Sequence, residues 1–91
     1  MDIHLAQALA HLKGQIKRFK RRKAQSTSKY DRESWDNIIE GLFESGLNMI
    51  KHAGPGDINQ DMIDYFLGRT DERPDLKELK RRLEEKNNSA E

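Results

Sequence analysis

Between Lys13 and Lys23 seven of eleven residues are basic: Lys13, Lys17, Arg18, Lys20, Arg21, Arg22 and Lys23. Cations at that density over three helical turns suit the phosphates of a nucleic acid or an acidic protein surface. Guanidinium forks match phosphate oxygens two at a time, so Arg18 and Arg21 are the expected forked contacts and Lys17 and Lys20 the expected point charges. Binding of this kind carries little sequence specificity. Only Gln15 stands near the basic face to read a base edge, and Phe19 has no aromatic companion in the stretch with which to form a stacking platform.

The total charge of +1 conceals how uneven the chain is. Residues 1–30 hold eight Lys or Arg against one acid, and residues 31–91 hold nine against fifteen, so the halves carry +7 and −6. The plain alternative to an external partner is that Glu33, Asp36, Glu40 and Glu44 neutralise the cations from within. On a helical wheel only Asp36 and Glu40 lie near enough to the apolar side to meet Lys13 or Lys20, which leaves Lys17, Arg18 and Arg21 unpaired. Exposed ion pairs contribute only about 0 to 1 kcal/mol each, too little to account for seven clustered cations by folding alone.

Other chemistry finds little support. There is no Cys, so disulfides, thiolate catalysis and Cys-based zinc fingers are excluded. No Ser stands in a nucleophile motif and no glycine-rich phosphate loop is present, so no enzymatic activity and no cofactor are expected. His4 and His11 stand about 10.5 Å apart along a helix, too far to share a metal unaided, and with His52 they read as surface residues. Asp57, Asp61 and Asp64 share a helical face that invites a magnesium reading, but acids in a first turn also complement the helix dipole, and no metal site is assigned. No run is apolar enough for a signal peptide or a membrane span, and the expected location is the cytoplasm.

A small all-α helical bundle of about four helices must position the cations. Leu5, Leu9, Leu12, Ile16 and Phe19 alternate at steps of four and three, a narrow packing stripe on a helix over about 2–25, capped by Asp2. With that stripe facing inward, Lys17, Arg18 and Arg21 point out, Arg22 lies on one flank and Lys13 and Lys20 on the other. Lys23 falls on the inward line, so either the core contact ends near Phe19 or the side chain snorkels past it. Both options make the end of helix 1 a projecting basic prong.

Ser26 to Tyr30 read as a turn, with Asp31 capping helix 2 (about 31–53) and Tyr30 stapled on Trp35. Trp35, Ile38, Ile39, Leu42, Phe43, Met49 and Ile50 cover a wedge of about 140° on that helix, wide enough for two neighbours. Helices 1 and 2 form the antiparallel hairpin. Gly54-Pro55-Gly56 supplies a left-handed stop, Asp57 and Gln60 have capping-box spacing for helix 3 (about 58–67), and Gly68 closes it. Pro74 opens helix 4 (about 74–86), marked by Leu76, Leu79 and Leu83 and by the pairs Lys80 with Glu84 and Arg81 with Glu85. Residues 1–86 form one domain, with 87–91 a disordered tail.

The expected function is a small non-enzymatic binding or regulatory protein that grips DNA or RNA through Lys13 to Lys23. The alternative is a regulatory subunit or inhibitor that docks the same helix on an acidic partner, or in a partner's nucleic-acid channel. No small-molecule substrate is expected. A membrane-surface role is disfavoured because the apolar stripe of helix 1 lacks Trp and has a single Phe. A helix-turn-helix reading of helices 2 and 3 would aim Asp61 and Asp64 at phosphates, which repels. The wide face of helix 2 and the leucines of helix 4 exceed what one short chain can cover, as in a homodimer or a subunit of a complex.

Overall fold

The computed structural model describes residues 2–89, with side chains through 85, and among these it contains four helices and no strand. They are α1 (Ile3–Gln25), α2 (Lys29–His52), α3 (Gln60–Leu67) and α4 (Leu76–Ser89). α1 and α2 form the expected antiparallel hairpin. Phe19 stacks on Trp35 with ring centroids 5.4 Å apart, and Lys23 meets Asp36 across the two helices.

The tightly packed residues lie toward one end of this hairpin. Ala6, Leu9, Ala10 and Ile16 of α1 are buried together with Ile58 and with Met62, Tyr65 and Phe66 of α3. α2 contributes one fully enclosed residue, Gly46, because Phe66 lies directly against it. The Phe66 ring also stacks on Phe43 at 5.5 Å with planes 6° apart. Leu79 of α4 is buried as well, and Leu76 packs on the cluster. Farther along, toward the Ser26 to Ser28 turn, no residue from Lys17 to Phe43 is fully buried. The molecule is elongated, 59 × 23 × 19 Å, with the hairpin turn standing away from the core as an arm.

Helix ends depart from the sequence reading where a neighbouring polar residue captures the cap. Asp2 caps α1 as expected, accepting from the His4 amide at 2.9 Å. α2 begins earlier than Asp31 because the Ser28 hydroxyl accepts from the Asp31 amide and takes the N-cap position. Asp31 therefore sits in the first turn, where its charge complements the helix dipole. Tyr30 is drawn into the helix and is 76% exposed, so it does not staple Trp35. Trp35 instead faces Phe19 and donates from Nε1 to the Ser26 hydroxyl at 3.2 Å.

The left-handed residue after α2 is Gly56 (φ 79°), not Gly54. Gly54 instead exchanges hydrogen bonds with Asp57, its amide donating to the carboxylate at 2.8 Å and its carbonyl accepting from the Asp57 amide at 3.1 Å. That engagement removes Asp57 as a cap, and Asn59 replaces it by accepting from the Met62 amide at 3.2 Å. Gly68 (φ 82°) closes α3 as expected, its amide shared between the carbonyls of Asp64 and Tyr65.

Asp75 delays the start of α4 past Pro74, its carboxylate accepting from the amides of Lys77 and Glu78. With no Gly or Pro beyond Lys86 to stop it, α4 runs through Ser89 rather than ending near 86. The rest of the expected tail lies outside the described residues. Arg81 pairs with Glu85 at 2.7 Å as expected, and also with Glu78.

Candidate nucleic-acid interface

The seven cations of α1 divide by what each meets. Lys23 reaches the Asp36 carboxylate at 2.6 Å, and among the described residues it alone of the seven pairs with an acid. This corrects the expectation that Asp36 would meet Lys13 or Lys20. Lys23 lies on the inward line of α1 where the helices are no longer tightly packed, so its ammonium can cross to α2 while staying part-exposed. Glu40, the other acid expected on that flank, pairs with none of them.

Lys13 and Lys17 turn toward α3. The Lys13 ammonium donates to the Phe66 carbonyl at 3.2 Å, and the Lys17 ammonium donates to the Tyr65 hydroxyl at 3.0 Å while lying 4.6 Å from the ring centroid. Lys17 is thus not bare, as the wheel implied; Tyr65 gives it a neutral perch that leaves its charge uncompensated. Arg22 lies over the Trp35 ring at 5.8 Å. Arg18, Lys20 and Arg21 are exposed and form no ion pair or hydrogen bond among the described residues.

Crowding of like charges shows at Lys13. Burial pushes its ammonium below the usual lysine range, and Lys20 and Lys17 push it further, with only Asp71 acting in the opposite sense. Its side-chain amine is therefore expected to lose its proton at lower pH than a free lysine. Following the Lys13 side-chain NMR signals through an alkaline titration checks this; an ordinary midpoint would contradict the crowding.

Three residues outside the basic run join the site. Arg32, in the second turn of α2, lines the cleft that Lys20, Lys23 and Ala24 line from α1. Its sequence signal was its place four residues before Asp36, on the same stripe of α2. Trp35 and Tyr65 left no comparable sign, because each reaches the cations only through the antiparallel pairing and the seating of α3.

The α2 and α3 pair offers no comparable anion surface. Asp64 accepts from the Gln60 side chain at 3.0 Å and from Arg69 at 3.1 Å, and these two bonds, Gln60 first, hold its carboxyl below the usual range. Asp57 is committed to Gly54. Among the described residues no three His, Cys, Asp or Glu side chains converge as metal ligands, and no helix is long and apolar enough to cross a membrane. Compared with protein-family models, curated proteins and solved structures, the chain matches none of them.

Proposed function

We propose that this protein works by binding rather than catalysis, and that it grips nucleic-acid phosphates with the arm of its hairpin, largely without regard to sequence. The observation that carries the reading is the set Arg18, Lys20 and Arg21, three exposed cations of one helix with no acid of the described chain to neutralise them. Arg18 and Arg21 supply forked contacts. Lys20, Lys17 and Arg32 add point charge on either side. The Lys17 perch on Tyr65 and the Arg22 position over Trp35 reduce the side-chain freedom that binding would otherwise have to quench. A cytoplasmic dimer or larger complex belongs to the same proposal, since Ile38 and Leu47 of α2 remain 43% and 37% exposed.

Neutralising four or five duplex phosphates releases the counterions condensed on them, so log K against log salt should fall with a slope of about −4. Fluorescence anisotropy with a labelled duplex, titrated at several salt concentrations, measures that slope. Unrelated duplex sequences should bind alike within about threefold, because phosphate contacts carry no base information. A slope near zero, or no binding at low salt, removes the proposal.

A further inference from the structure

At the base of the hairpin α3 covers the trough between α1 and α2, laying Phe66 on Phe43 and against Gly46. α3 then stops at Gly68, but the trough does not. It continues toward the hairpin turn over an apolar floor of Ile16, Ile39, Phe43 and Leu67, and reaches Ala24 and Arg32. From Phe43 to Arg32 the open stretch follows α2 for about 16 Å, or three helical turns. Its charge is one-sided. Lys23 and Asp36 also line it but neutralise each other; of the rest, Lys13 and Lys20 stand along the α1 wall and Arg32 near the turn, none paired with an acid among the described residues, against Glu40 on the α2 wall.

We propose that this open half of the trough docks an amphipathic helix of a partner protein, about three turns long, with apolar side chains on the Ile16, Ile39 and Phe43 floor and carboxylates toward Lys13, Lys20 and Arg32. The same trough already accepts a helix of this kind within the chain, since α3 fills its other half by laying an aromatic side chain between α1 and α2. The charge excess on the walls selects an acidic partner, and an arriving carboxylate relieves the repulsion that Lys20 and Lys17 exert on Lys13. Branched side chains at helical spacing fill an aliphatic floor that a phosphate backbone would leave uncovered. Lys20 and Arg32 belong to both surfaces, but Arg18 and Arg21 do not line the trough and its apolar floor plays no part in phosphate contacts, so the docking proposal does not depend on nucleic-acid binding.

The probe is a synthetic helical peptide with leucines at i, i+3 and i+7 and glutamates along one flank, beside a counterpart with lysines in place of the glutamates. The readout is the isoleucine methyl NMR spectrum of the full chain. The acidic peptide should shift the Ile16 and Ile39 methyl signals saturably and leave Ile38 unmoved, and the lysine peptide should bind at least about tenfold more weakly. Ile39→Glu should weaken the acidic peptide by about tenfold or more with helical circular dichroism retained. Because Ile39 is half-buried, the exposed Lys20→Glu serves as the second variant, and it should narrow or reverse the preference between the two peptides. The proposal is overturned by equal binding of the two peptides, by shifts centred on Ile38, by no saturable shift at about 1 mM peptide, or by a single-stranded oligonucleotide moving the Ile16 and Ile39 signals in place of the peptide. Duplex binding by the wild type is scored independently, so failure of one surface does not decide the other.

Discussion

Gly46→Ala is expected to destabilise the fold by about 2 to 3 kcal/mol, a large share of the roughly 5 to 14 kcal/mol available to a domain of this size. A methyl group on Gly46 would collide with the tip of the Phe66 ring, closest to Cζ, and Phe66 is fully buried against Phe43 and the core, so it has nowhere to retreat. Relief of the clash would require α3 to lift from the hairpin. The substitution also removes a helical glycine, which in open space stabilises by about 0.5 to 1 kcal/mol, so the overlap must outweigh that gain. Gly14 and Gly41 provide the internal control: both are helical, neither would set a new Cβ near another atom, and alanine there should be neutral or stabilising. Urea denaturation followed by circular dichroism compares the three. A Gly46→Ala protein as stable as the Gly41→Ala protein would mean that Phe66 does not seat α3 as described.

The double charge reversal Arg18→Glu/Arg21→Glu should weaken binding to duplex DNA by about 100-fold at low salt and flatten the salt slope from about −4 to about −2, if the arm is the contact surface. Two phosphate contacts are lost and two repulsions take their place. Both residues are exposed, lie outside the core cluster and lack partners among the described residues, so the thermal midpoint should stay where it is. Removing two cations from the crowded helix should if anything ease it. A folded double variant that binds as tightly as the wild type places the contact elsewhere on the molecule. Equal loss of binding and of helical signal would trace the effect to folding, and Arg18→Gln/Arg21→Gln then separates charge from structure.

The hairpin was legible in the sequence because it rests on period. Leu5, Leu9, Leu12, Ile16 and Phe19 repeat on one stripe, the apolar wedge of α2 repeats on another, and the Ser26 to Ser28 turn leaves the two stripes no partner closer than each other. Cap positions were less legible because several acceptors compete within a few residues. Ser28 stands three residues before Asp31 and Asn59 two after Asp57, and the winner depends on contacts formed elsewhere, such as the bond from Gly54 to Asp57. At the candidate site the wheel placed Arg18 and Arg21 correctly, since an outward direction needs only the helix itself. It left Lys17 outward and without an acid, as found, but gave no sign of its bond to Tyr65, and it sent Asp36 to the wrong lysine, because a long flexible cation settles wherever a neighbouring element offers an acceptor. Tyr65 and Phe66 offer theirs only after α3 has docked, and no period within α1 records that event.

The residues that hold the chain together and the cations that reach beyond it occupy different lengths of the same two helices. Phe66, Leu9 and Met62 are enclosed at one end, while Arg18, Arg21 and Arg32 stand toward the other, where the two helices of the arm are joined by the Phe19–Trp35 stack, the Trp35 bond to Ser26, Arg22 over Trp35 and the Lys23–Asp36 pair. Substitutions on the arm can therefore accumulate without unmaking the scaffold. A lineage carrying this architecture is free to retune its grip, trading lysine for arginine along the arm, at little risk to folding, whereas a change as small as one methyl at Gly46 costs it a large share of its stability.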